Sequence, residues 1–469
     1  MNDARPEKNP IYWFYGSASV AFGIKNNAFS YLLLIYSTQV LGIPGYLAAL
    51  ALAVAMAWDA VSDLFLGHWS DKTQSRMGRR HPFMYAGFIM LPLSFYALFN
   101  PVIELTEANS WGYLLVTAIL IRTAVTLVEV PSVALLPDLV KDYDERNKWL
   151  VLRHAFGWYG GNGIHVINMA FWVGAFGVAS QAGYSIYGLA GALIIAASIL
   201  ISSLGTQKVA AAMPQPSEPF RFREIWYEIK QIAQSVKNAN FFWLFVYSLV
   251  VGAAGGMSTA LYLYNVTYFF AFTGPQIAIT GVFVFASPAV AYFLAPALGK
   301  ALGKKQAAVA ALLGAIFLYP IPYLLTLAGY WPESGSWNSL IFYSIFVMTE
   351  VIGFIVGGVM LDSMMADVVE DSEVQTSRRS EGLFYAARSF ASKAVSALGI
   401  ILAGSIVSLV GMDGIKGVAD MTDVMRGDLA SFFLPAYCGL YFFAIYLISK
   451  YKIDRQQHQT NLEALAKKQ

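Results

Sequence analysis

Two carboxylates one helical turn apart, Asp59 and Asp63, sit in an otherwise apolar stretch, with the hydroxyl of Ser62 beside them. Residues i and i+4 share a helix face. A carboxylate in hydrocarbon is costly, so such groups turn toward a cavity and hold an ion, a proton or a partner. Two carboxylates and a hydroxyl supply the hard oxygens that a small cation takes; salt bridges to other helices are the competing use. The stretch from Trp58 to Phe83, WDAVSDLFLGHWSDKTQSRMGRRHPF, then closes in a basic burst at Lys72, Arg76, Arg79 and Arg80 before an apolar run resumes. Such a burst marks a short cytoplasmic loop. Asp71, Arg76, Arg79 and Arg80 are expected to pair with acidic helix ends, such as Asp138 or Asp142, in the outward-open state and to gate a conformational change; removal of Arg79 should slow turnover more than it weakens binding.

Further polar groups punctuate the apolar runs. Thr126 is a candidate to complete the cation site from a facing helix. Glu129 is placed to accept hydrogen bonds from solute hydroxyls, or to pair with Arg122 or Arg153. Lys25, Asn26 and Asn27 are consecutive and cannot share one face, so at least one is expected to line a cavity. The glycines 157, 160, 161 and 163 follow Arg153 and His154 with no strand before them, which speaks for close helix packing rather than a dinucleotide loop. Glu350, Arg388 and Lys393 lie deep in later apolar runs, and Lys393 is too deep to reach the interface easily.

The elements that must position these groups are membrane spans. Charged residues make up 13% of the chain and apolar ones 57%, against roughly 25% charged in a soluble domain. The chain therefore reads as an all-α polytopic membrane protein. Apolar runs near the roughly 20 residues that cross a bilayer recur twelve times, at about Trp13–Leu41, Tyr46–Trp69, Phe83–Phe99, Gly112–Pro137, Leu150–Val178, Ser185–Leu204, Phe241–Ala271, Gln276–Leu302, Ala307–Leu327, Ser339–Met365, Leu383–Val410 and Leu429–Ser449. Basic residues crowd alternate loops, so both termini are expected to be cytoplasmic. The first run is a full span rather than a signal core. Basic residues form no nucleic-acid face, and the net charge of +2 names no partner. The lone Cys438 permits no disulfide within one chain.

A polar, proline-bearing connection divides the chain into a six-span bundle at 1–207, a linker with an amphipathic segment at 208–239, and a second bundle with a cytoplasmic tail at 240–469. The halves echo each other. Pro137-Asp-Leu-Val-Lys-Asp142 is matched by Ala366-Asp-Val-Val-Glu-Asp371, Arg153 by Arg388, and Gly78-Arg-Arg by Gly303-Lys-Lys. Two pseudo-symmetric halves with a solute site between them is a secondary-transporter plan.

Four stretches, WDAVSD from Trp58, SDKTQSRMGRRHPF from Ser70, TLVEVPSVALLPDLVKDYDER from Thr126 and MMADVVEDSEVQTSRRSEGLFYAARSFASK from Met364, resemble the glycoside–pentoside–hexuronide:cation symporter (melibiose-permease-like) family of the major facilitator superfamily. The resemblance implies the major facilitator fold, no enzyme activity, no cofactor and a coupling ion, Na+ or H+. It implies a cation site at Asp59, Asp63, Ser62 and Thr126, and a solute site at Glu129, Arg153 and Lys393. Glu129 stands where the family type has Asp, Val133 replaces a tryptophan, and the first-helix acid meets only Lys25, Asn26 and Asn27, of which Asn27 is the candidate. Arg388 stands where the family type is neutral.

These residues lead to cation-coupled symport of a sugar or glycoside by alternating access, in a monomer embedded in a bacterial inner membrane. The extra guanidinium of Arg388 suggests an anionic sugar, a hexuronide or sulfo-sugar, held through paired hydrogen bonds. Against that, Arg388 and Lys393 lie roughly 140° apart around a helix, which leaves Arg388 free to pair with Asp367 or Glu350. A lysophospholipid symporter is the alternative, disfavoured by charges at Glu129, Arg153, Arg388 and Lys393. A membrane-embedded enzyme or sensor would need a catalytic cluster, whereas His68, His81, His154, His165 and His458 are scattered.

Overall fold

The computed structural model describes residues 9–140, 142–213, 238–376 and 397–466, and all regular structure among them is helical. Nine of the described helices are long and apolar enough to cross a membrane: Gly45–Lys72, His81–Phe99, Ser110–Leu139, Gln181–Ala211, Ala239–Phe269, Gly274–Leu302, Lys304–Leu327, Trp337–Val374 and Asp423–Ser449. The other three expected spans are also helical where described. The first is broken into short pieces, the fifth, Tyr143–Phe171, carries charges through its first turns, and of the eleventh only Ala397–Val410 is described. The amphipathic run at 223–236 lies outside the described residues.

The chain clusters into two compact units, one of Met1–Ile225 with Thr273–Gly281 and Asp413–Gly417, the other of Trp226–Phe272, Val282–Met412 and Val418–Gln469. In the first unit, the opening span starts where the Asn9 side chain accepts from the Ile11 N–H and Pro10 takes the first helical position, a preorganised start. It runs through Ser19–Asn27 into a π turn, Ala28–Leu32, and resumes as Leu33–Gln39. At the π turn the Leu33 N–H reaches back five residues to the Ala28 carbonyl. The second unit repeats this device: its opening helix, Ala239–Tyr264, passes into a π turn at Asn265–Phe269, closed by the Phe270 N–H on the Asn265 carbonyl. In each case an asparagine, Asn27 or Asn265, sits at the junction and is buried.

The glycine run of the fifth span does pack against the first. A Cβ on Gly23 would lie 2.0 Å from the Gly157 carbonyl oxygen, and one on Gly161 would lie 2.5 Å from that of Gly23. Gly160 meets Val20 at 3.0 Å, while nothing lies within 4 Å of a Cβ on Gly163. The backbones touch only because three of these four positions lack side chains. Gly23→Ala and Gly161→Ala should therefore each cost about 1–3 kcal/mol through forced separation of the helices, whereas Gly163→Ala should gain about 0.5–1 kcal/mol from helix propensity alone. Thermal unfolding of the detergent-purified protein measures the contrast; equal effects at positions 161 and 163 would contradict it.

Candidate functional site

The fourth helix, Ser110–Ala134, presents Arg122, Thr126 and Glu129 at i, i+4 and i+7, one face of the helix. The second helix, Gly45–Lys72, brings Asp59 and Ser62 against that face. Arg122 Nη1 lies 3.4 Å from Asp59 Oδ2, an ion pair with both side chains buried. Thr126 Oγ1 is 2.9 Å from the Arg122 carbonyl and 3.3 Å from Asp59 Oδ1, so its one proton serves either acceptor. Ser62 Oγ lies 3.1 Å from the Asp59 carbonyl and 3.2 Å from Thr126 Oγ1. Trp58 Nε1 donates to Thr123 Oγ1 at 2.8 Å, which pins the rotation of the two helices beside the pair. Asp63 is half-buried on the same face of the second helix.

The alternative pairing of Glu129 with Arg122 or Arg153 is not formed; Arg122 meets Asp59, the salt bridge to another helix that was the competing use of that acid. Its Cζ stacks 4.1 Å from the centre of the Phe29 ring, in the π turn of the first span. Glu129 is half-buried; its backbone carbonyl accepts from Ser132 Oγ at 2.9 Å, while its carboxylate makes no hydrogen bond or ion pair with a described residue. Asp63 and Glu129 lie near enough to add electrostatic attraction to the guanidinium. Arg153, on the fifth helix, donates from Nη2 to Ser132 Oγ at 3.1 Å, one turn past Glu129, and its Cζ lies 5.5 and 5.1 Å from the rings of Tyr15 and Phe22. Asn27 is buried, its Oδ1 without a hydrogen-bond partner among the described residues. Of its neighbours, Lys25 is buried and Asn26 exposed.

The basic burst also has a definite geometry. Arg80 Nη2 bonds Asp71 Oδ1 at 2.9 Å, while its Nη1 meets Asp138 and the Ala134 carbonyl. Arg79 Nη2 reaches the same Asp138 oxygen at 2.9 Å. Arg76, expected in this cluster, is instead exposed in the loop and pairs with no described residue; Asp142 caps the fifth helix through the Glu145 N–H at 2.8 Å. Gly78 holds φ at +90°, a conformation that glycine adopts freely. The second unit repeats the arrangement: Gly303 has φ +83°, and Lys304 Nζ bonds both Asp367 oxygens at 2.6 and 2.8 Å. Asp367, Glu370 and His458 come within 4.8 Å of one another, but Lys304 already neutralises Asp367, so the cluster is an ion-pair network.

Elsewhere in the second unit, Glu350 Oε1 accepts from Ser258 Oγ at 3.1 Å and from the Tyr437 hydroxyl at 3.0 Å. Arg388 and Lys393, its expected partners and the expected solute-binding cations, lie outside the described residues.

Charged groups buried among helices of bilayer length are the pattern of a polytopic membrane protein with functional groups inside it. The profile of the family described as MFS/sugar transport protein matches residues 14–455, and the chain belongs to this family, a transporter and not an enzyme. It is 35% identical over 147 residues to an uncharacterized symporter, sll1374, of Synechocystis sp. (strain ATCC 27184 / PCC 6803 / Kazusa), covering 30% of this chain and 27% of that one. It is 24% identical to the isoprimeverose transporter of Lactiplantibacillus pentosus over 86% of this chain and 82% of that one. In fold it is similar to the xylose transporter XylE from E. coli in a partially occluded inward open conformation, with a TM-score of 0.61, 12% identity, and 95% and 99% of the two chains covered.

Proposed function

We propose that the protein couples the downhill flow of a cation, Na+ or H+, to the uptake of a sugar or glycoside by alternating access. The observation that carries this is the single face of the fourth helix, where Thr126, part of the Asp59–Ser62 cluster, is followed one turn later by the open carboxylate of Glu129. Ion-type oxygens and a hydroxyl-accepting carboxylate are thereby adjacent, which suits a solute and a cation that bind together. The likeness to an isoprimeverose transporter supports a glycoside. Asp63, Arg153 and Asn27 complete the two sites, and the Arg79–Arg80–Asp138 clasp serves as a gate in a monomer of the cell membrane with both termini in the cytoplasm.

The test is a panel of labelled glycosides in proteoliposomes, in counterflow and under imposed Na+ or H+ gradients. Accumulation that collapses with the gradient is expected. Equilibration alone, or exchange of no sugar, would defeat the reading. Competition between methyl glucuronide and methyl glucoside, in wild type and Arg388→Gln, decides the charge of the sugar. An anionic substrate requires the glucuronide to win in the wild type and to lose selectively in the variant.

A further inference from the structure

The site that Asp59 offers to a mobile cation already contains a fixed one. Arg122 approaches Asp59 at 3.4 Å from the same helix that supplies Thr126. A guanidinium stays charged at any physiological pH. It has little room to swing away, because it is 6% exposed and stacked 4.1 Å from the Phe29 ring.

We propose that the Arg122 guanidinium is a tethered cation in the Asp59 site and that it excludes Na+, so that this symporter does not couple to sodium. The inference rests on the symport reading above and narrows its coupling ion. A sodium ion bound to Asp59, Ser62 and Thr126 would sit within about 4 Å of the guanidinium. At the effective dielectric of a protein site, two positive charges at that distance repel enough to weaken binding roughly a thousandfold. The same charge also disfavours protonation of Asp59, so of the two cations in the reading above H+ is left to the second carboxylate, Asp63.

The experiment is equilibrium binding of radioactive sodium to the full chain in detergent, comparing wild type, Asp59→Cys, Arg122→Gln and Arg122→Lys. The wild type is expected to show no saturable site, and Arg122→Lys, which keeps the charge, to match it. Arg122→Gln should gain a saturable site at least about a hundredfold tighter than any in the wild type. Saturable wild-type binding that is lost in Asp59→Cys would overturn the proposal. So would a monodisperse Arg122→Gln that gains nothing. If Arg122→Gln does not fold, the wild-type and Asp59→Cys measurements decide alone. Sugar counterflow on the same preparations separates the two claims: sodium binding with intact counterflow defeats this inference only, whereas absent counterflow defeats the symport reading and leaves the sodium result standing.

Discussion

Asp59→Ala is expected to destabilise the folded protein by about 3–5 kcal/mol and to abolish gradient-driven accumulation. Asp59 is 2% exposed and Arg122 6%, so removal of the carboxylate strands a guanidinium out of water. Breaking one side of a buried pair costs far more than the intact pair contributes, since the remaining charge loses its compensation. The two residues should therefore couple. Asp59→Ala with Arg122→Ala should be more stable than either single variant's loss, added to the other, allows, with a coupling energy of about 0.5–3 kcal/mol. The measurement is a double-mutant cycle on thermal half-life in detergent, alongside accumulation in proteoliposomes. Strictly additive losses would show that Arg122 takes its support from elsewhere.

Glu129→Gln is expected to behave in the opposite way, with stability within about 0.5 kcal/mol of wild type and sugar affinity down by roughly tenfold to a hundredfold. Its carboxylate makes no hydrogen bond or ion pair with a described residue, so the amide orphans nothing in the fold. What it loses is a charged acceptor for sugar hydroxyls, and a hydrogen bond to a charged group contributes about 1.5–3 kcal/mol. Half-saturation in counterflow reads the first quantity and thermal unfolding the second. Unchanged affinity would remove Glu129 from the solute site; lost stability with unchanged affinity would make it a structural acid.

The contrast between these two acids shows what the sequence could and could not convey. Hydropathy located the spans because burial in lipid needs long apolar runs, which are read directly from composition. The repeat of Gly78-Arg79-Arg80 in Gly303-Lys304-Lys305 was legible, and each loop forms a clasp because a left-handed glycine followed by cations fixes both the turn and the reach of the side chain. The i, i+4, i+7 spacing placed Arg122, Thr126 and Glu129 on one face. It could not say which neighbouring helix that face meets, or at what rotation, and so could not choose Asp59 over Glu129 as the partner of Arg122. Trp58 and Phe29, which set that rotation and floor, carry no compositional mark of the task. Arg76 misled for the same reason: a basic residue in a short loop reads alike whether it is clasped or solvated.

The two π turns left no trace in composition either, and they bear on how this chain tolerates changes in length. A π turn is an α-helix that has absorbed one surplus residue. Within Ala28–Leu32 or Asn265–Phe269, loss of one residue returns the segment to ordinary helix and leaves both flanks facing their present neighbours. Anywhere else in a spanning helix, the same loss rotates everything beyond it by about 100° and shifts it by about 1.5 Å, which would carry Asn27 or Arg122 off its face. Among the described residues, single-residue deletions are thus silent in register at two short windows, one in each unit, and disruptive in the remainder of these helices.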